Sequence, residues 1–224
     1  MDPNHRMSKI DCIPESSNMS TEIRTIQKRY RSIVGVFIFL VTTCRVDISY
    51  GVSMLAQYMS KPGYAHYKAA QYLLSYLSGT TNLGIAYYST GNRKPYAYAD
   101  ADFGADESRR ARVGSVFILA DGPIQWMCKL ADAIPLSTCE SEIRSLGAAF
   151  SPTRYSVWLC KFMEDIGYKV EGEPGKISIG LSPDVALDGF DPSVDIDEPF
   201  VIWEDNRAAI DYAKNPSIVR ECVI

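Results

Sequence analysis

The sequence predicts an α/β (α+β) protein in which a small helical unit precedes a mixed sheet with flanking helices. Two observations predict this fold class. Before about residue 80, apolar residues recur at helical spacing. After "TTNLG" (80–84), short runs with period-two alternation appear, and further helical segments follow them. With 224 residues, of which 46% are apolar, the chain can bury a substantial core.

The first part of the chain is predicted to be a polar arm followed by three helices. Residues 1–28 contain few apolar side chains and should form an extended arm. The helical unit should span residues 29–82, with helices in "YRSIVGVFIFLVTT", "VDISYGVSMLAQYM" and "AHYKAAQYLLSYLSGT". We expect Asp47 to cap the second helix. The third should bury one face formed by Tyr67, Ala70, Leu73, Leu74 and Leu77.

Residues 83–224 are predicted to form the sheet-containing domain. Its strands should lie in "IAYYST", "PYAYAD", "VGSVFILA", "PIQWMCK" and "FVIW". Its helices should lie in "STCESEIRSLGAAF", "TRYSVWLCKFMEDIGY" and "NRAAIDYAKN". Residues 169–199 are rich in Gly, Pro, Ser and Asp, which is typical of an inserted loop, here an acidic one.

Composition limits the kinds of site that the chain can contain. Six cysteines are scattered with no C-x-x-C pair, which is typical of reduced thiols in an intracellular protein. With only His5 and His66 available, a His-rich zinc or iron site is excluded, and any metal should be an oxygen-bound cation such as Mg²⁺ or Mn²⁺. No signal peptide opens the sequence, and "IVGVFIFLV" (33–41) is too short to cross a bilayer. We therefore expect no membrane partner.

Three acidic positions stand at the ends of predicted elements. Asp100 and Asp102 would project from one face of a strand, where neighbouring carboxylates repel unless a cation lies between them. Glu142 borders an apolar helix stripe, whereas Glu140 has a structural role in an S-x-x-E capping box with Ser137. Asp205 follows the strand "FVIW".

Together, Asp100, Glu142 and Asp205 could hold two divalent cations that clamp a phosphodiester. An ordinary interpretation of these acids, as a helix cap and a solvated strand, also stays open. Asp205 or Asn206 could simply be the N-cap of the last helix. The acids of the strand could be a solvated edge, in which case the three carboxylates would not meet.

Six segments, in order, resemble copia-type retrotransposon polyproteins, at the end of reverse transcriptase and in the ribonuclease H that follows it. "YRSIVGVFIFLVTTCRVDISYGV" is similar to Y-R-S-L-V-G-S-L-L-Y-L…T-R-P-D-I-A-Y-A-V. "HYKAAQYLLSYLSGTTNLG" resembles H-W-K-A-A-K-R-I-L-R-Y-L-K-G-T-x-x-x-G, and "MDPNHRMSK" resembles the entry to the thumb region. "YADADFGAD", "STCESEIRSL" and "EDNRAAIDYAKNP" are similar to Y-S-D-A-D-W-A-G-D, S-S-T-E-A-E-Y-I-A-L and C-D-N-Q-A-A-I…A-K-N-P.

The resemblance implies a reverse transcriptase thumb/connection region followed by a ribonuclease H-like domain. Asp100, Glu142 and Asp205 would then be catalytic and metal ligands, with Asp102 and Glu140 as companions. Two Mg²⁺ (or Mn²⁺) ions would act in cleaving the RNA strand of RNA–DNA hybrids. The implied partners are such hybrids or other nucleic acid, and the remaining polyprotein segments. The implied location is intracellular, either cytoplasmic in a virus-like particle or nuclear. The sequence defines no oligomeric state.

Departures from the family pattern leave a second interpretation open. The family's remaining strand, last helix and fourth acidic ligand are expected to be missing after "AKNPSIVREC", and the loop at 169–199 is additional. No Asp-Asp pair occurs, so polymerase activity is not expected. The alternative function is a catalytically dead remnant or a nucleic-acid-binding module.

Overall fold

The structure is a computed structural model that describes residues 7–13, 20–89, 94–102, 109–132, 134, 137–147, 152–168, 177–181 and 200–213. The chain divides into two compact units, Met1–Ile85 and Ala86–Ile224. The first is helical and the second contains a mixed five-stranded sheet with helices, so the predicted α/β class is confirmed. Within the described residues, no helix combines the length and apolarity needed to cross a membrane.

The first unit contains helices α1 (Thr21–Thr43), α2 (Ser49–Ala56) and α3 (Tyr64–Gly79). Its core is formed by apolar side chains from all three helices, from the segment before α1 and from the residues on either side of α2. These are Met7, Tyr30, Val34, Phe37, Ile48, Val52, Leu55, Tyr58, Ala70, Leu73 and Leu77. Helical spacing of the apolar residues therefore produced the predicted packing.

Three predictions for the first unit are wrong in detail. The extended arm does not continue to residue 28, because α1 begins at Thr21, where the Ser20 hydroxyl accepts a hydrogen bond from the Ile23 N–H. Asp47 does not cap α2, because its carboxylate is bound by Arg45. Leu74 is 48% exposed, and His66 is buried instead on the inner face of α3.

Polar side chains join the segment before α1 to the helices. The Gln27 amide donates to the carbonyl oxygens of Ile13 and Pro62, at 2.9 and 3.2 Å. His66 accepts from the Gly63 N–H through Nδ1, so Nε2 carries the proton that is donated to the Ser8 carbonyl, 3.1 Å away. These buried groups are satisfied by backbone partners, which fixes the position of residues 8–13.

The second unit contains strands β1 (Tyr96–Asp102), β2 (Arg112–Leu119), β3 (Gly122–Leu130), β4 (Ser178–Leu181) and β5 (Val201–Glu204). Its helices are α4 (Thr138–Gly147), α5 (Pro152–Asp165) and α6 (Arg207–Ala213). The strand order is β3-β2-β1-β5-β4, with antiparallel pairing among β1, β2 and β3 and parallel pairing of β5 with β1 and β4. Parallel pairing brings the carboxyl ends of β1 and β5 to one edge.

Alternation along β1 separates a buried face from a more exposed one. Ala97, Ala99 and Ala101 are buried, while the tyrosines and acids between them are partly or fully exposed. Ala97 and Ala99 join a core with residues of β2, α5 and β5, and Ala101 belongs to a smaller cluster with Val113 of β2. The ring centroid of Phe117 lies 4.5 Å from that of Tyr155 and 5.8 Å from that of Phe200. The sequence pattern of β1 therefore predicts correctly which side faces the core.

Two strand predictions for the second unit are wrong. Residues 85–89 form no strand, although the Tyr88 N–H donates to the Ala120 carbonyl at 3.0 Å. The acidic loop predicted over 169–199 contains β4, in which Ile179 is packed against the core. Ile177 and Ile179 alternate with polar residues, a signal that the surrounding turn-forming composition obscured. Residues 169–176 and 182–199 lie outside the described part.

Candidate metal-binding site

Asp100 and Asp205 lie side by side because β1 and β5 are parallel and in register. Tyr98 is paired with Trp203, and each aspartate comes two residues later on its own strand. Both aspartate side chains are exposed at this edge. Polar groups at the carboxyl ends of parallel strands commonly form ligand sites, since the chain leaves the sheet there.

The start of α6 leaves the Asp205 carboxylate available to the site. Asn206 is the capping residue, because its Oδ1 accepts a hydrogen bond from the Ala209 N–H at 3.2 Å. The sequence left Asp205 and Asn206 as alternative caps. The structure assigns that role to Asn206, and the Asp205 side chain lies beside Asp100 and Glu142.

Helix α4 brings the third carboxylate. Ser137 directly precedes the helix, and its hydroxyl accepts a hydrogen bond from the Glu140 N–H at 3.1 Å, as expected for the first half of a capping box. Glu142 lies on the side of the helix that contacts the sheet, and only 6% of its surface is exposed. Its carboxylate accepts a hydrogen bond from the Ala101 N–H in β1.

One carboxylate oxygen from each of Asp100, Glu142 and Asp205 lies within 4.8 Å of the other two. The structure thus brings together the three residues that the sequence singled out. Among the described residues, neither Asp102 nor Glu140 belongs to this group. Asp102 is exposed at the end of β1, opposite Arg112 of β2. The role of the three acids as metal ligands stays a prediction.

Burial and repulsion by neighbouring carboxylates disfavour the charged forms of Asp100 and Glu142. Burial and the charge of Asp205 raise the pKa of Asp100. The pKa of Glu142 is raised by burial and then by the charges of Asp100 and Asp205. Bringing these carboxylates together therefore raises the electrostatic energy of the folded protein. A bound cation would remove this cost.

A fourth acid, Glu204, lies directly under the site and was not singled out from the sequence. It is the last residue of β5 and is fully buried. Its Oε1 accepts a hydrogen bond from the Asp205 N–H at 3.2 Å, while its Oε2 has no hydrogen-bond donor among the described residues. Burial, followed by the charge of Glu142, raises the pKa of Glu204. On its buried strand face, period-two alternation predicted an apolar side chain, so no sequence signal pointed to it.

The donor set fits a hard divalent cation. Three carboxylate oxygens close together are ligands that Mg²⁺ and Mn²⁺ prefer, whereas zinc sites are usually built with His or Cys ligands. Glu142 closes the buried side of the cluster, and Asp100 and Asp205 lie at the accessible side. A cation at this position would be accessible to a polymer passing over the edge of the sheet.

Comparison with known proteins identifies relatives among transposon polyproteins. The Pol polyprotein from transposon TNT 1-94 of Nicotiana tabacum is 26% identical over 216 residues, covering 94% of this chain and 13% of that protein. The Pol polyprotein from transposon RE1 of Arabidopsis thaliana is 33% identical over 162 residues, covering 72% of this chain and 11% of that protein. The chain thus spans only about an eighth of the length of these polyproteins.

A third relative is much shorter. Secreted RxLR effector protein 161 of Plasmopara viticola is 35% identical over 131 residues, which cover 58% of this chain and 90% of that protein. No family model and no solved structure matches the chain.

The transposon relatives come from tobacco, Arabidopsis and yeast, and the plant matches are segments of much larger polyproteins. They confirm the resemblance that the ordered motifs indicated. The chain therefore belongs to the retrovirus-related Pol polyproteins of copia-type retrotransposons.

Proposed function

We propose that the second unit of this retroelement fragment cleaves the RNA strand of RNA–DNA hybrids, with divalent cations bound by Asp100, Glu142 and Asp205. The observation that carries the proposal is the convergence of three carboxylate oxygens within 4.8 Å. The three residues come from two strand ends and one helix, which are far apart in the sequence. Membership of the Pol polyproteins makes nucleic acid the expected substrate class.

The residues of the site have distinct tasks in this proposal. Asp100 and Asp205 extend from the strand ends to the accessible side, where a sugar–phosphate backbone can approach. Glu142 supplies negative charge from the buried side, and the Ala101 N–H orients its carboxylate. Bound Mg²⁺ or Mn²⁺ would activate a water molecule and stabilise the departing 3′ oxygen.

Hybrid recognition would depend on backbone shape and 2′-hydroxyls, with no base sequence requirement. We expect the proposed activity inside the cell, in cytoplasmic virus-like particles or in the nucleus. Oligomeric state does not enter the proposal, because all three acids come from one chain.

The test is hydrolysis of a labelled RNA–DNA hybrid in the presence of Mg²⁺ or Mn²⁺. We expect cleavage of the RNA strand by the wild type and a loss of at least about 100-fold in Asp100→Asn, Glu142→Gln and Asp205→Asn, since each removes charge from the cation site. Asp165→Asn is the matched control, because this acid is exposed on α5 outside the cluster, and its activity should equal that of the wild type.

Two results would contradict the proposal. Cleavage that persists in all three site variants would come from another site or a contaminant. Tight hybrid binding without cleavage at any concentration of either metal would instead support the nucleic-acid-binding alternative.

A further inference from the structure

The turn between β2 and β3 has an unusual backbone conformation. Leu119 pairs with Gly122, so the turn itself consists of Ala120 and Asp121. Both residues are left-handed, with φ of 53° and 61°. Two-residue turns with positive φ at both positions usually contain Asn or Gly, because an alanine Cβ disfavours this conformation. Ala120 is therefore strained, and such strain persists only where the surrounding structure imposes it.

The segment 86–88 lies across this turn and provides the surrounding structure. The Tyr88 N–H donates a hydrogen bond to the Ala120 carbonyl at 3.0 Å. The Tyr87 hydroxyl donates to the Pro123 carbonyl at 2.8 Å. Two residues of the segment are thus bound to backbone carbonyls, one in the turn and one at the start of β3.

Gly122 allows the segment to approach the hairpin closely. A Cβ at this position would lie 2.5 Å from the Tyr87 ring and 2.6 Å from the Ala86 carbonyl oxygen. Tyr87 and Tyr88 are 56% and 59% exposed, and neither belongs to a core cluster of the described residues. Hydrogen bonds and close approach therefore hold the segment, and it can detach without opening the core.

The segment also lies where the connection between the two units ends. Helix α3 ends at Gly79 and the second unit begins at Ala86, so residues 80–85 form the connection. After detachment, the next element fixed in the sheet is β1, which begins at Tyr96. The connection would then consist of residues 80–95. Since an extended chain spans about 3.3–3.6 Å per residue, its maximal length would increase from roughly 20 Å to roughly 50 Å.

We propose that segment 86–88 is a latch on the β2–β3 turn, and that its release lengthens the connection between the two units. In the closed state both hydrogen bonds are formed and Ala120 is strained. In the open state the bonds are lost and the turn can relax, so relief of strain offsets part of the cost of opening. The latch is independent of the proposed nuclease function, because no acid of the candidate metal-binding site takes part in it.

Limited proteolysis of the full chain with chymotrypsin measures how often the latch opens. This protease cleaves after aromatic residues, and Tyr87 and Tyr88 become substrates when the segment detaches. When opening and closing are fast compared with cleavage, the cleavage rate follows the population of the open state. Mass spectrometry of the fragments separates cleavage after these two residues from cleavage elsewhere, and circular dichroism checks that each variant is folded.

Two tyrosine variants form a matched pair, because phenylalanine keeps the cleavage site. Tyr87→Phe removes the hydrogen bond to the Pro123 carbonyl and should raise the cleavage rate about fivefold, as loss of one hydrogen bond does. Tyr88→Phe is the control, because Tyr88 is bound to the turn through its backbone N–H, and its rate should equal that of the wild type. Equal rates for the two variants would overturn the proposal.

Two variants of the turn should act in opposite directions. Gly122→Ala adds a Cβ that the closed segment cannot accommodate, and it should raise the cleavage rate at least about tenfold. Ala120→Gly adopts the left-handed conformation without strain, and it should lower the rate about fivefold. Gly114→Ala is the control for an added Cβ in the same hairpin, because its contacts would lie at 3.9 Å, and its rate should equal that of the wild type.

Two further results would contradict the latch. An Ala120→Gly variant that is cleaved faster than the wild type would mean that strain in the turn does not favour opening. A wild type that is cleaved as fast as an isolated peptide of residues 80–95 would mean that the segment is not held on the turn. Should Gly122→Ala fail to fold, the tyrosine pair and Ala120→Gly decide the outcome, since their expected effects have opposite signs.

Discussion

Glu142 shows how the needs of a cation site oppose those of a folded core. Its carboxylate is buried beside Asp100, Asp205 and Glu204. Burial, followed by the charges of Asp100 and Asp205, disfavours the ionised form, and the raised pKa of Glu142 expresses that penalty. The acid should therefore lower stability whenever no metal is bound, as is common for residues selected for function.

We predict that Glu142→Gln stabilises the second unit by an amount of order 1 kcal/mol in the absence of divalent cations, while it weakens Mn²⁺ binding. The amide still accepts from the Ala101 N–H and can donate to Glu204, but it carries no charge. Urea unfolding followed by tryptophan fluorescence measures the change, because Trp126, Trp158 and Trp203 are the three tryptophans of the chain and all belong to the second unit.

The Asp165→Asn variant is again the control, and its unfolding midpoint should stay at the wild-type value. A Glu142→Gln midpoint below that of the wild type would mean that the charge is compensated and that the electrostatic argument is wrong.

At the residue scale, sequence reasoning succeeded where local roles could be separated. The capping box gave Glu140 a structural task, which left Glu142 as the candidate, and the Ser137 hydroxyl does accept from the Glu140 N–H at the start of α4. The same reasoning could not choose between Asp205 and Asn206, because both cap helices well. Glu204 was missed because nothing local explains a buried acid, and Glu142, whose charge raises its pKa, is 62 residues away in the sequence.

At the scale of elements, long periodic segments were predicted and short ones were not. Helix α3 and strands β1, β2 and β3 follow from clear periodicity. The first turns of α1 were predicted as an arm because their residues are polar, yet Gln27 is buried and bonded to Ile13 and Pro62. Strand β4 has only four residues, its short alternation is obscured by the turn-forming residues around it, and it is defined by pairing with β5.

Gly63, at the entry to α3, gives a prediction at this scale. A Cβ at this position would overlap the carbonyl oxygen of Asp11, because the segment before α1 passes directly against the helix start. We expect Gly63→Ala to destabilise the first unit by about 1–3 kcal/mol, as overpacking does. Far-UV circular dichroism during urea unfolding of the full chain measures the effect.

The matched control is Gly79→Ala, because a Cβ at Gly79 meets nothing within 4 Å. Alanine favours helix over glycine, so this change at the end of α3 should be neutral or slightly stabilising. Equal stability of the two variants would show that the segment can move away from Gly63 at little cost.

At the scale of the whole molecule, the two units shift the pKa values of their carboxyl groups in opposite directions. In the first, the Arg45 guanidinium contacts both oxygens of the Asp47 carboxylate, at 2.9 and 2.8 Å, and the Tyr76 hydroxyl donates to it at 3.0 Å. Arg45 also donates to the Thr80 carbonyl and hydroxyl, which connects the start of α2 to the end of α3. Hydrogen bonding from Arg45 lowers the pKa of Asp47.

These shifts predict that the units respond to pH in opposite directions. The lowered pKa of Asp47 gives the first unit stability that is present above the ordinary Asp pKa of about 3.9 and is lost as pH falls through the lower value of the folded state. The raised pKa values of Glu142 and Glu204 give the second unit stability that is complete below about pH 4.3 and is lost as pH rises toward and through the raised values.

Thermal unfolding from pH 3 to 8 without metal tests this prediction, with tryptophan fluorescence for the second unit and far-UV circular dichroism for the helices. Between about pH 5 and 8 the fluorescence midpoint should fall as pH rises, and Mn²⁺ should restore it most at the upper end, where the acids are ionised. The combined Glu142→Gln and Glu204→Gln variant should have a flatter profile, because neither amide titrates. A fluorescence midpoint that rises over this range in the wild type would mean that the buried acids are already paired with a positive charge, and a metal site at this edge would then have no electrostatic basis.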